Sequence, residues 1–329
     1  MKEPITKYKY LFGPVPSRRL GLSLGVDLVP KKVCSLDCVY CEVKKTDKKT
    51  IKQAEWVPAA SVITELGIWL ESGVETEYIT FSGYGEPTLN NKIKDIIDYL
   101  KKRTATPLAL LTNSTLFSDP KVRERLLDLD VVLPSLDAAN QKIFRLVNRP
   151  VPSLDIKEII EGLVRFRKEY PGKIWLEILL VDGLNDQENH LEELARAIDR
   201  IKPDQVQLNT VARPGSEEWA KKACLEVLDK AVGIIGKSGT DVKAIADFRP
   251  GNADGNAKNR HAKTTSNTDR QALAERVLEI VSRRPETVEN LAASLSEDRE
   301  EIAAVVAGLV KEEKIVEVLE HGKRFVKHA

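Results

Sequence analysis

Cysteine is scarce in this chain of 329 residues: there are four, and three of them (Cys34, Cys38 and Cys41) fall within eight consecutive positions. So few thiols over such a length exclude the disulfide framework that staples small secreted domains. Histidine is equally sparse. His190, His261, His321 and His328 all lie far from the cysteines, so a zinc site of Cys and His would have to borrow a distant ligand. Long apolar runs are missing as well. No stretch approaches the ~20 apolar residues that span a bilayer, and the opening MKEPITKYKYLFGPV has no apolar core of the signal-peptide kind. The expected location is therefore cytoplasmic, with no membrane partner. An excess of one charge is also absent. With a net charge of +1 and a pI near 7.6, the whole chain is not the basic body of a strong nucleic-acid binder.

What is present suffices for one large domain and one small one: 36.7 kDa, 42% hydrophobic and 31% charged residues. From about residue 23 to 246, apolar strand-like runs alternate with helical patterns. The strand candidates are 22–29, 78–83, 108–113, 131–136, 174–181 and 205–210. The helical patterns cover 58–72, 91–102, 119–128, 155–169, 187–201 and 217–236; the first opens at Pro58 and stops at Gly73. Continuous apolar strands separated by helices predict a parallel sheet covered by helices. Six such units are fewer than the eight of a closed barrel, so the expected fold is α/β, a partial (β/α)6 TIM-like barrel.

The composition changes between Asp247 and Asp269, where Gly, Asn, Thr and Lys replace large aliphatics. The expected division is a barrel over 1–247, a linker over 248–268 and a small domain over 269–329. In that domain three apolar faces recur at helical spacing, the second after an N-cap at Thr287 and the third after Asp298 with Glu301 three residues on. A hairpin turning at His321-Gly322 follows. Three helices and a terminal hairpin resemble a winged helix. Residues 269–329 nevertheless hold ten Lys and Arg against 13 Asp and Glu, and the third helix carries Glu300, Glu301, Glu312 and Glu313. Carboxylates facing phosphates repel, so docking of a substrate or protein is expected there and DNA is an unlikely partner.

Three closely spaced thiolates can ligate three irons of a cubane cluster, since iron–sulfur clusters select soft thiolates. The fourth iron is then left to an outside chelator, which turns an electron carrier into a catalyst. The triplet follows the first strand, at the end where α/β barrels place their active sites. The second strand runs into Ser82-Gly83-Tyr84-Gly85-Glu86-Pro87, whose glycines let backbone approach a ligand. Later strands end in Asn113, in Ser135 and Asp137, in Asp182-Gly183 with Asp186, and in Asn209 and Arg213. Each of these alone reads as a cap or a turn. Together they line one mouth.

The C-x3-C-x2-C spacing with Tyr40 before its last cysteine resembles the signature of the radical S-adenosylmethionine (SAM) superfamily, and GYGEP resembles its Gly-rich motif. Within it, GPVPSRRLGLSLGVDLVPKKVCSLDCVYCE, GYGEPTL, SLDAAN…NRP and QLNTVARPG look like the wyosine-synthase-like branch, over roughly residues 10–215. The resemblance implies a [4Fe–4S] cluster on Cys34, Cys38 and Cys41, and SAM held by Tyr40, Gly83, Tyr84, Gly85, Glu86 and Pro87. Asn113, Asn209 and Arg213 join that set. Ser135 or Asp137 would meet the ribose, and the stretch around Asp182 and Gly183 would back the adenine. Arg145 and Arg149, like Arg213, are candidates for a carboxylate or phosphate. The implied activity is reductive cleavage of SAM to a 5′-deoxyadenosyl radical, with an electron donor such as flavodoxin or ferredoxin and an RNA or peptide substrate. The branch's tRNA enzymes use further cysteines for a second cluster, and here only Cys224 remains. Lys44, Lys45, Lys48, Lys49 and Lys52 suit an RNA, or simply a solvated loop. An iron–sulfur redox-sensing regulator that binds nucleic acid is the alternative.

Overall fold

The computed structural model describes residues 8–17, 19–245, 267–295, 297–320 and 322–329. The chain divides into two compact units, Met1–Ala244 and Ile245–Ala329. The expected linker falls outside the described residues as far as 266, as do His261 and His321.

The first unit opens with β1 (Leu11–Ser17) and β2 (Gly21–Val26). A two-residue pair, β3 (Val33–Cys34) with β4 (Lys48–Lys49), brackets the cysteine loop. Then come α1 (Ala59–Glu71), β5 (Tyr78–Phe81), α2 (Ile93–Arg103), β6 (Leu108–Thr112), α3 (Pro120–Glu124) and β7 (Val131–Pro134). After α4 (Gln141–Val147) and α5 (Ile156–Glu169) follow β8 (Lys173–Leu180), α6 (Glu188–Ile201), β9 (Gln205–Thr210), α7 (Leu225–Ile235) and β10 (Val242–Ala244). The sheet runs β1-β2-β5-β6-β7-β8-β9-β10, parallel throughout except for the antiparallel β1–β2 pair.

This is the partial barrel that the alternation predicts. Consecutive parallel strands joined by helices are covered on the outer face, so the strand residues are almost all buried. The helices bury one stripe each, for example Leu191, Leu194, Ile198 and Ile201 of α6. Each such side chain contributes about 1.5–3 kcal/mol by leaving water. α1 ends at Ser72 and Gly73, whose φ of +70° lets the chain turn away.

Five features depart from the expectation. β1 carries two prolines in LFGPVPS, which mask a strand pattern, yet as an edge strand it needs no complete ladder of N–H donors. β10 is too short for periodicity to reveal. α4 is a seven-residue helix capped by Asn140, whose side chain accepts from Ile143 N at 3.0 Å. The helix expected over 217–236 starts only at Leu225, and that over 119–128 ends at Glu124. The reason in the first of these cases is tertiary. Ser216 Oγ donates to the carbonyls of Cys38 and Val39 at 2.8 and 3.1 Å, and Glu217 N donates to Val39 O at 3.1 Å. Backbone spent on the cysteine loop is not available to a helix.

The second unit contains α8 (Asn267–Arg283), α9 (Val288–Leu295), α10 (Arg299–Lys311) and the hairpin β11 (Ile315–Glu320) with β12 (Lys323–His328). Leu273, Val277 and Val281 of α8 meet Leu291 and Leu295 of α9, Ile302, Val306 and Leu309 of α10, and Ile315 and Val326 of the hairpin. Asp298 caps α10, accepting from Glu300 N at 2.7 Å, and Thr287 Oγ1 accepts from Asn290 N at 3.2 Å. The unit therefore has its own core. No helix among the described residues is long and apolar enough to cross a membrane.

Candidate active site

The three cysteines lie on one loop, tied to the barrel from several directions. Thr50 N donates to Cys34 O at 2.9 Å, Asp37 N to Asn148 O at 3.0 Å, Val39 N to Val147 O at 2.9 Å and Val151 N to Ser35 O at 3.0 Å. Gly215 packs on the Tyr40 backbone so closely that a Cβ there would sit 2.9 Å from its carbonyl carbon. A loop held this way presents its side chains with little freedom, which is what a preformed ligand set requires.

Cys34, Cys38 and Cys41 are each partly buried, whereas Cys224 is exposed at the start of α7. Every sulfur of the triplet meets one N–H from a different segment. Lys32 Nζ lies 2.9 Å from Cys41 Sγ, Asn113 Nδ2 3.4 Å from Cys34 Sγ and Asn148 Nδ2 3.4 Å from Cys38 Sγ. Donors aimed at sulfur suit thiolates or cluster-bound sulfur and have no use for a disulfide. Burial pushes the Cys34 thiol up to about 11, with Glu86 adding to it; burial and then Cys41 and Asp137 push Cys38 up as well. Burial thus favours the protonated forms of Cys34 and Cys38, and binding a metal to them must displace protons. Among the described residues no three His, Cys, Asp or Glu side chains converge as ligands of a single ion do. A cubane asks for something different, three thiolates each reaching its own corner. The donor set fits a cluster.

The GYGEP turn leaves β5 beside this loop. The structure corrects the expectation that its glycines are reserved for a ligand. Gly83 has φ +140° and a Cβ there would lie 1.8 Å from Asp27 Oδ1, which accepts from Tyr84 N at 2.8 Å. A Cβ on Gly85 would lie 1.9 Å from Val33 O, the carbonyl just before Cys34, which also accepts from Glu86 N at 3.2 Å. The turn is thus seated on the approach to the cysteine loop. Glu86 is corrected too. Its carboxylate is buried and points into the protein, accepting from Thr88 N at 3.0 Å, Thr88 Oγ1 at 2.6 Å, Thr112 Oγ1 at 2.7 Å and Asn113 N at 2.7 Å. Burial raises its pKa, and these bonds oppose the rise. Pro87 begins a 3₁₀ turn capped by Glu86. Glu86 so joins the GYGEP turn to the end of β6 and holds Asn113 over Cys34.

Asn113, Ser135 and Asp137 come together as expected, lining one small cavity with Cys38, Tyr40 and Asn148. Asp137, expected at a ribose, is instead engaged within the protein. Its Oδ2 accepts from the Tyr40 hydroxyl and from Asn148 Nδ2 at 2.7 Å, and its Oδ1 from Leu179 N at 2.8 Å. This leaves Ser135 as the member of the pair with its side chain uncommitted. Asp182 and Gly183 form an exposed turn after β8, with Gly183 N donating to Asp186 Oδ2 at 3.0 Å; they do not line the cavity. The buried member of that stretch is Asn185, which donates to Asp137 O at 2.9 Å and Leu179 O at 2.8 Å. His190 is structural: Nε2 accepts from Ala139 N at 3.1 Å, so Nδ1 carries the proton toward Asn185 O at 2.8 Å. Burial keeps it neutral by lowering its pKa.

Asn209 donates to Glu177 Oε1 at 2.9 Å, and Arg19 pairs with the same carboxylate inside the barrel. Arg213 reaches Glu42, the residue after Cys41, at 3.3 Å. Arg149 pairs with Glu217 and lies over Trp219, and Arg145 is exposed. Sequence reasoning gave no individual role to Lys32, Asp27, Asn148, Asn185 and Glu177, though all but Glu177 lie in motif stretches it singled out. Nothing in their neighbours' identities marks them. The one signal the sequence offered is a lysine two residues before Cys34.

The radical SAM superfamily model matches residues 28–198. The UPF0026 protein of Methanocaldococcus jannaschii is 35% identical over 243 residues, covering 72% of this chain and 75% of that protein. A GTPase Obg of Brachyspira hyodysenteriae is 34% identical over 319 residues, 96% of this chain, but the chain spans only 45% of its length. Among solved structures, Streptococcus suis SuiB bound to S-adenosylmethionine superposes with a TM-score of 0.51 at 15% identity, over 67% of this chain and 50% of that one.

Proposed function

The chain belongs to the radical SAM superfamily, and from that premise we propose that Cys34, Cys38 and Cys41 hold its [4Fe–4S] cluster and that SAM binds beside them, over the GYGEP turn and the ends of β6 and β7. The superfamily's cofactors are that cluster and SAM, and the protein is an enzyme. When bound, the cluster supplies the electron that splits SAM into methionine and a 5′-deoxyadenosyl radical. What carries the site assignment is the arrangement at the sulfurs, three thiols on one clamped loop, each facing an N–H donor from a different side chain.

The chain's own residues bind, orient and exclude water. Glu86 fixes Asn113; Asp137 fixes Tyr40 and Asn148; Asp27 shapes the turn that carries Tyr84. The solvent-facing side of the GYGEP turn, with Ser135, is what we assign to SAM. A one-electron donor of the flavodoxin or ferredoxin class is the partner the chemistry needs. Exposed Lys44, Lys45, Lys48, Lys49 and Lys52 border the cysteine loop and support a large anionic substrate, an RNA before a peptide. The regulator alternative is not taken up, because a SAM-cleaving site has no place in it. Anaerobic reconstitution with dithionite and SAM should yield 5′-deoxyadenosine; none formed by protein carrying its iron would sink the activity.

For the second unit we propose a winged-helix-like docking module. The first turn of α10 carries Glu300 and Glu301, which disfavour a phosphate backbone. A chain ending at Ala244 should therefore still fold, take up iron and cleave SAM, while turnover of the true substrate falls as the tethered module is lost. The fragment 267–329 should show negligible DNA affinity at physiological salt. Specific DNA binding by that fragment, seen in a gel shift, would reverse this assignment.

A further inference from the structure

We propose that Lys32 is the fixed counter-charge of the iron–sulfur cluster, a positioning residue whose buried ammonium offsets the thiolate charge and makes the cluster easier to reduce. The inference rests on the assignment of the cluster to Cys34, Cys38 and Cys41. A lysine beside a loop normally runs its stem along the surface and leaves its ammonium in water, and Lys44, Lys45, Lys48, Lys49 and Lys52 a few residues later are all exposed. Lys32 does the opposite: it is 4% exposed. Its backbone is held for the purpose. With φ +54° it sits in the left-handed region, and its carbonyl accepts from Asp47 N at 3.1 Å and Lys48 N at 3.2 Å. The side chain is thereby aimed inward, ending 2.9 Å from Cys41 Sγ.

Burying an ammonium costs several kcal/mol unless an opposite charge meets it. Among the described residues Lys32 forms no ion pair with a carboxylate, and the side-chain group its ammonium meets is Cys41 Sγ. A neutral thiol is poor compensation for a buried cation. Three thiolates around a cubane are good compensation: they leave one net negative charge on the oxidised centre and two after an electron is added. A fixed positive charge therefore stabilises the reduced form more than the oxidised one and moves the potential upward. Net charge and hydrogen bonds to sulfur are among the levers that set such potentials. Asn113 and Asn148 contribute only neutral, longer contacts to the other two sulfurs. Lys32 is the charged one.

The test is a redox titration of the anaerobically reconstituted full chain, with dithionite as electron source and the reduced cluster followed by electron paramagnetic resonance, without SAM. In Lys32→Met the equilibrium constant for uptake of one electron should fall about tenfold or more, a midpoint shift of about 59 mV to the negative side. Lys32→Arg should restore most of it. A Lys32→Met protein with full iron and an unchanged midpoint overturns the proposal. If Lys32→Met takes up no iron, Lys32→Arg is compared with Lys32→Gln, since both keep an N–H. Loading by Arg alone, or a higher midpoint in Arg than in Gln, supports the role of charge. Equal midpoints, loading by Gln alone, or loading by neither overturn it. A wild-type protein that takes up no iron would instead defeat the cluster assignment itself.

Discussion

Alanine at Cys34, Cys38 or Cys41 should abolish the cluster, whereas Cys224→Ala should leave about four irons per chain, the content of one [4Fe–4S] centre. The contrast follows from where the thiols stand. The triplet sits on a loop whose ends are bonded to the barrel, and each of its sulfurs faces a donor from Lys32, Asn113 or Asn148. Cys224 lies exposed at the start of α7, before an acidic first turn at Glu226. Removing one of three ligands leaves two corners of a cubane held and two open, and binding energy that depends on all three arriving together is lost. Iron and sulfide content after anaerobic reconstitution, with the absorbance of the thiolate-to-iron bands, measures this. Full iron in the triple variant, or its loss in Cys224→Ala, would place the cluster elsewhere.

Gly85→Val should cost both SAM binding and iron loading. A glycine that merely made room for a ligand would, on replacement, disturb the ligand alone. Here the added Cβ would lie 1.9 Å from Val33 O and 2.9 Å from Val29 Cγ2. Backbone cannot swing aside as a flexible side chain does, so the carbonyl must move. With it go the Glu86 N–H bond and the bridge that sets Cys34 against Lys49. A stability loss of about 3 kcal/mol is expected, at the upper end for overpacking because the clash is with main chain. Gly183→Ala is the control. It too has positive φ, +70°, but nothing lies within 4 Å of its Cβ position. Strain of about 1–2 kcal/mol should be its whole effect, with iron and SAM binding intact. Calorimetry with SAM and iron analysis on the two variants decide the matter; wild-type values for both in Gly85→Val would mean that the turn does not seat the cysteine loop.

The barrel and the clustering of three cysteines on one loop could be read from the residues alone. Strand-like runs that recur between helical patterns announce a parallel sheet, because strands covered on both faces are rich in apolar residues, as in YITF and VVLP. The cysteine triplet is legible because its chemistry depends on spacing along one loop. The small unit is legible for a similar reason, since Leu273, Val277 and Val281 repeat at helical intervals whatever they pack against. What only the tertiary structure decided is the direction of polar side chains. Glu86 looks like a ligand group in GYGEP and is in fact consumed by Thr88, Thr112 and Asn113. Asp137 is consumed by Tyr40, Asn148 and Leu179, and Asn148 meets a sulfur 110 residues away. Periodicity reports which face of an element leaves water. It carries no record of which distant segment will supply a donor within 3 Å, and a buried carboxylate or lysine is placed by that partner.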